Sequence, residues 1–187
     1  MKYGGTEEEA ENTEEGQAAE GDQGEGAPSP VEGAQTPAGI DAVRETVLAN
    51  ISGLQEAGER WQVYACRFSD QAEEVVGSGR MTAASLIKLY IIGPVYEKYD
   101  SITNQNGKGE VDGLLRSMIT VSDNNAANTL TGMLGQGDPA AGRAAVTDYC
   151  SRNGYTDTEM GRMLLETGTD RENYASVRDW GMFVKKI

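Results

Sequence analysis

The chain has no histidine among its 187 residues. That absence excludes an imidazole general base and imidazole ligation of a metal. Cysteine is nearly absent too: Cys66 and Cys150 allow at most one disulfide, their spacing fits no metal motif, and they are expected to be unpaired. No basic patch interleaved with aromatics is present, so nucleic acid is not an expected partner. No run is long and apolar enough to span a bilayer. The opening residues show neither a signal peptide nor any other visible export route.

What is abundant is negative charge, 30 acidic against 16 basic residues for a net −14. Its distribution matters more than its size. The first forty positions hold ten acidic residues and only Lys2, a balance of −9, and the remainder carries an ordinary −5. Residues 1–38, rich in Glu, Gly, Ala, Gln and Pro with almost nothing to bury, read as a disordered acidic linker. Residues 39–187 are long enough for one folded domain.

Along that domain, Ile40, Val43, Val47, Leu48, Ile51 and Leu54 recur at helical spacing. Residues 61–68 alternate as a strand, 69–72 turn, and 73–77 return as a second strand. The most apolar stretch follows, Met81 to Asp100, and reads as a buried helix that loosens near Gly93-Pro94. Residues 101–109 have loop composition. Short helices are expected over 110–119, with Leu114, Leu115, Met118 and Ile119 inward, and over 124–134. Another runs from an Asp138 cap and Pro139 through Tyr149. Residues 161–173 look like a structured loop, and a last helix begins near Ala175, with Val177, Trp180, Phe183 and Val184 or Ile187 inward. Only two strands are legible among six or so helices.

Two polar islands interrupt this pattern. Ser85 and Lys88 stand three apart, so they share one side of the buried helix. A lysine in apolar surroundings loses proton affinity, and a neutral amine beside a hydroxyl is a base beside a nucleophile. The other reading is a capping serine with a lysine that snorkels to solvent. The second island, Ser122-Asp123-Asn124, falls in a break between helices. There Ser122 and Asn124 can point into a cleft while Asp123 braces the turn by accepting backbone N–H groups. Alone, it reads equally as a helix cap.

Together, SxxK at 85–88 and SDN at 122–124 are the signature of serine penicillin-recognising enzymes. From about Trp61 to Lys186 the chain resembles the class A β-lactamase and penicillin-binding-protein family, including Glu-Asn-Tyr-Ala-Ser at 172–176. The resemblance implies an α+β fold, the three-layer αβα β-lactamase/transpeptidase-like architecture. It also implies an acyl-transfer hydrolase, extracytoplasmic, monomeric and without metal or cofactor. Its substrate would be a β-lactam or a D-alanyl-D-alanine cell-wall peptide. Ser85 would attack the amide carbonyl, Lys88 would take its proton, and Ser122 would protonate the leaving nitrogen. Asn124 would hold the substrate carbonyl and Lys88, and the Ser85 N–H would form half of an oxyanion hole.

The sequence departs from the family pattern twice. Class A enzymes carry a deacylating glutamate followed four residues later by asparagine; here Glu159 is followed by Met163 and Glu166 by Asp170. Both glutamates remain candidates, and an acyl-enzyme without such a group would be long-lived. The family's Lys-Thr/Ser-Gly triad is also absent, because no lysine is followed by that pair. The fold is therefore expected to be incomplete, an N-terminal hairpin plus the helical subdomain of a larger hydrolase, weak or inactive as it stands. The alternative is a non-catalytic fragment that serves as a binding or scaffold module.

Overall fold

The computed structural model describes residues 39–186, so the acidic segment 1–38 lies outside the described residues. An N-terminal helix, α1 (Asp41–Glu56), precedes a hairpin of β1 (Val63–Arg67) and β2 (Ala72–Val76). The hairpin is antiparallel, with Val63 opposite Val76 and Arg67 opposite Ala72. α1 lies against β2, where the Arg44 guanidinium donates to the Val75 carbonyl at 2.8 Å.

The expected single helix over 81–100 is instead three pieces. β3 (Met81–Thr82) leads through a 3-10 turn (Ala84–Leu86) into α2 (Ile87–Glu97). α2 then runs through Pro94 without breaking, since Pro94 is buried in the packed helix. Ile87, Tyr90, Ile91 and Val95 are wholly buried, and the aliphatic three are each worth about 1.5–3 kcal/mol when removed from water. The stretch read as loop at 101–109 is mostly helix: α3 (Tyr99–Asn106) forms because Ile102 is drawn into the core, and burial overrides polar composition. Gly107, at φ 88°, makes the sharp turn into α4 (Lys108–Thr120).

α5 (Asn124–Leu134) and α6 (Pro139–Arg152) complete the helical half. Asp138 caps α6 by accepting the Ala140 N–H at 2.8 Å. α5 packs between α4 and α6, where Gly142 lets the backbones approach; a Cβ there would stand 2.0 Å from the Thr131 carbonyl oxygen. The inward face of α4 is Val111, Leu115 and Met118, while Ile119 is half exposed, contrary to the sequence pattern.

Three strands beyond the two expected assemble a second sheet in the order β3-β5-β4, from β4 (Glu159–Met160), β5 (Asn173–Ala175) and β3. Met81 pairs with Ala175, and Glu159 with Tyr174. The final helix, α7 (Val177–Val184), is capped by Ser176, whose hydroxyl accepts the Asp179 N–H at 3.2 Å. Phe183 is buried as expected, with Asp179 and Gly181 beside it; Val177 and Trp180 are half-buried, and Gly181 sits under the Tyr64 ring of β1. Gln62 ties the hairpin to the second sheet: its amide donates to the Ser78 and Gly79 carbonyls and accepts the Val177 N–H at 3.1 Å. Tyr90, Tyr155 and Phe183 close the core, Tyr90 and Tyr155 edge-on with centroids 5.4 Å apart and Phe183 tilted against both. Helices flanking antiparallel sheets make this a mixed α+β, β-lactamase/transpeptidase-like fold.

Candidate active site

The 3-10 turn delivers Ser85 to the surface one turn ahead of a lysine that cannot reach it. Ser85 is exposed, whereas Lys88 is 3% exposed. Lys88 Nζ lies 3.0 Å from Ser85 Oγ, 2.8 Å from Ser122 Oγ and 2.6 Å from the Ser122 carbonyl oxygen. The two hydroxyls are 3.2 Å apart, so amine and hydroxyls form a closed triangle. Burial holds the Lys88 pKa below its ordinary value, opposed by the charge of Asp123. A desolvated amine with two hydroxyls in reach can exchange protons with either.

Backbone conformation sets this geometry. Ala84 has φ 45° and Ser122 φ 56°, left-handed values that cost non-glycine residues about 1–3 kcal/mol each. At Ser122 the turn aims both the hydroxyl and the carbonyl at the amine. Asp123 holds that turn. Its Oδ1 accepts the Asn125 and Ala126 N–H groups at 2.8 and 3.1 Å, and its Oδ2 accepts the Ser117 hydroxyl at 3.0 Å. The Ala126 N–H, the Ser117 hydroxyl and the Asn125 N–H, in that order, hold the carboxyl below the usual carboxylate range. It therefore stays charged beside the site. Asn124 opens α5 next to Ser122 and is half-buried; among the described residues no hydrogen bond joins it to Lys88.

The two glutamates are engaged elsewhere. Glu159 pairs with Arg80 at 2.6 Å, and Arg80 also lies over the Tyr174 ring. Glu166 is exposed and turns back into its own loop, accepting the Met163 N–H at 2.9 Å. Neither is hydrogen-bonded to Ser85, Lys88 or Ser122.

The residue that organises this loop is Asn128, which the sequence reading passed over. One helical turn after Asn124, it donates from Nδ2 to the Leu164 carbonyl and accepts the Leu164 N–H at Oδ1, both at 2.8 Å. Arg162 braces the same loop through its Glu172 pair at 2.9 Å and through the Glu166 carbonyl. Asn173 Oδ1 accepts the Arg162 N–H at 3.0 Å. The available signal was the i, i+4 repeat of asparagine from Asn124 to Asn128. Among the described residues, no group of three or more acidic or cysteine side chains gathers to hold a metal. Both cysteines are free, and burial pushes the Cys150 thiol up to about 12. Among the described residues no helix is long and apolar enough to cross a membrane.

No curated protein matches the chain. A protein-family model does, the one described as Beta-lactamase enzyme family, over residues 101–187. The match takes in Ser122, Asp123, Asn124, Asn128 and the Arg162–Glu172 loop, whereas Ser85 on the 3-10 turn and Lys88 on α2 precede it. Residues 101–187 thus carry a beta-lactamase family domain.

Proposed function

We propose that the chain is a serine acyl-transferase that forms an acyl-serine on Ser85 and releases it slowly. The observation that carries this reading is the amine of Lys88, buried yet 3.0 Å from one hydroxyl and 2.8 Å from another. In the neutral amine the nitrogen lone pair accepts the Ser85 proton as Oγ attacks an amide carbonyl. The oxyanion forms at the Ser85 N–H, which sits in the first turn of a helical segment and so lacks an intrahelical acceptor. As the tetrahedral adduct collapses, the C–N bond breaks and the leaving nitrogen takes a proton from Ser122 Oγ. Ser122 is in turn reprotonated by Lys88, so the proton taken from Ser85 ends on the leaving group.

The acyl donor is a β-lactam or a D-alanyl-D-alanine-type cell-wall amide, which places the protein outside the cytoplasmic membrane. Residues 39–187 act as the acylating unit, a monomer, with 1–38 as an acidic spacer. Slow release follows from the positions of Glu159 and Glu166, each bonded away from Ser85.

The test is intact mass after incubation with a fluorescent penicillin, on wild type and on Ser85→Ala. The expected result is a persistent single adduct lost in Ser85→Ala. No adduct in a chain that circular dichroism shows to be folded would overturn acyl transfer and leave a non-catalytic binding module.

A further inference from the structure

A groove of about 510 Å³ separates α2 from α4. Its α2 wall is Ile92 and Tyr96, which follow Lys88 at i+4 and i+8 on one face. At 1.5 Å per residue they lie about 6 and about 12 Å along the helix from the amine. Its α4 wall ends at Ile119 and Thr120, two residues before Ser122. The groove therefore runs away from the Ser85–Lys88–Ser122 triangle along the two helices that build it.

The lining is apolar but not uniformly so. Tyr96 is 60% exposed and stacks on Tyr99 at 5.6 Å between centroids. Ile119 is 46% exposed. Arg116 lines the same groove, exposed, and its guanidinium has no hydrogen-bond or ion-pair partner among the described residues. Asp112 shares the groove and feels the charge of Arg116, but its carboxylate is already bonded by Lys108 and by the Tyr99 hydroxyl. Of the charged residues that line the groove, Arg116 and Asp112 balance, and because Lys108 from outside it already engages Asp112, Arg116 is the lining charge left to meet an anion.

We infer that the α2–α4 groove is a subsite for an acyl-donor arm carrying an apolar or aromatic body and a carboxylate. The body stacks on Tyr96 and covers Ile92 and Ile119, and the carboxylate pairs with Arg116, whose planar fork suits it. This rests on the acyl-transfer reading above and names the substrate class for the same site.

The test uses two penicillins that differ only in the side chain, benzyl and α-carboxybenzyl. Titration calorimetry on Ser85→Ala measures binding without chemistry, and the acylation rate is measured separately on the wild type. Both probes carry the ring carboxylate, and the one with the second, side-chain carboxylate should bind at least fivefold more tightly than its benzyl partner. That ratio should vanish in the Ser85→Ala/Arg116→Ala double variant, return in part with Arg116→Lys and fall below one with Arg116→Glu. Equal affinity for the two probes, or a preference that survives Arg116→Ala, would overturn the subsite. A preference in binding with no acylation of wild type by either probe would support the subsite and refute acyl transfer, so the two failures are distinct.

Discussion

Replacing Lys88 by methionine separates what the amine does for the fold from what it does for chemistry. The two side chains have similar volume, so the apolar surroundings of α2 stay filled. Removing a desolvated amine relieves a burial cost, while the Ser122 carbonyl loses its donor at 2.6 Å, a loss of about 1–3 kcal/mol. These oppose one another, and the net should stay within about 2 kcal/mol. For a chain of this size that is a melting shift of up to about 8 °C.

Chemistry has no such compensation. A positioned base contributes about 10²–10⁴-fold, or about 2.7–5.5 kcal/mol of barrier. Lys88→Met should therefore remain folded and acylate at least about 100-fold more slowly. The pH profile adds a second readout. The Lys88 pKa lies below the ordinary lysine value, so acylation by wild type should rise with pH and level off before that value is reached. Without the amine this rise should be lost. The assay is the pseudo-first-order rate of adduct formation by mass, from mildly acidic to strongly basic pH, alongside thermal melting by circular dichroism. Acylation by Lys88→Met within tenfold of wild type, or with an unchanged pH limb, would refute the assignment of the base.

Two further substitutions probe the scaffold. Gly142→Ala places a Cβ against backbone atoms of Thr131, which cannot rotate away, and should cost at least about 1–3 kcal/mol. Gly113→Ala, in open space on α4, should instead stabilise by up to about 1 kcal/mol, and comparing the two melting temperatures checks both. Asp179 is 2% exposed, and burial raises its carboxyl pKa despite bonds from the Thr158 hydroxyl and the Asp157 N–H. The native chain then holds this proton where the unfolded chain has released it, so its contribution to stability falls as pH rises above the ordinary carboxyl value. Asp179→Asn, which does not titrate, should compare more favourably with wild type at pH about 7 than at about 4. Melting differences that do not change between those pH values would contradict the raised pKa.

Local chemistry was legible where the signal is local. α5 runs from Asn124 to Leu134 as its pattern indicates, and Asp138-Pro139 opens α6. Ser85 and Lys88 were placed on one side of a helix by spacing alone, and 3.0 Å separates their polar atoms. What escaped is what depends on distant partners. β3 and β4 have two residues each and β5 three, too short for any alternation to show, and β5 pairs with a strand about ninety positions earlier. The left-handed turns at Ala84 and Ser122 carry no glycine to announce them. The two glutamates could not be ranked from spacing, because Arg80 and the Met163 N–H, which hold them, are brought near only by the folded loop.

The Asn128 clamp also has a consequence for how this family domain can vary. By pinning Leu164 at one end, with the Arg162–Glu172 pair and Asn173 at the other, it divides the 161–172 loop into anchors and a free span. Residues 167–171, beyond the bonds that hold Glu166, are largely exposed, and lengthening such a span is thermodynamically mild, about 0.6 kcal/mol for each doubling. Insertions and deletions there can reshape the surface without dragging on α5, whose first turn holds the Ser122 hydroxyl in place. Chain length in this loop is thus free to drift among relatives while the distance between the two hydroxyls is not.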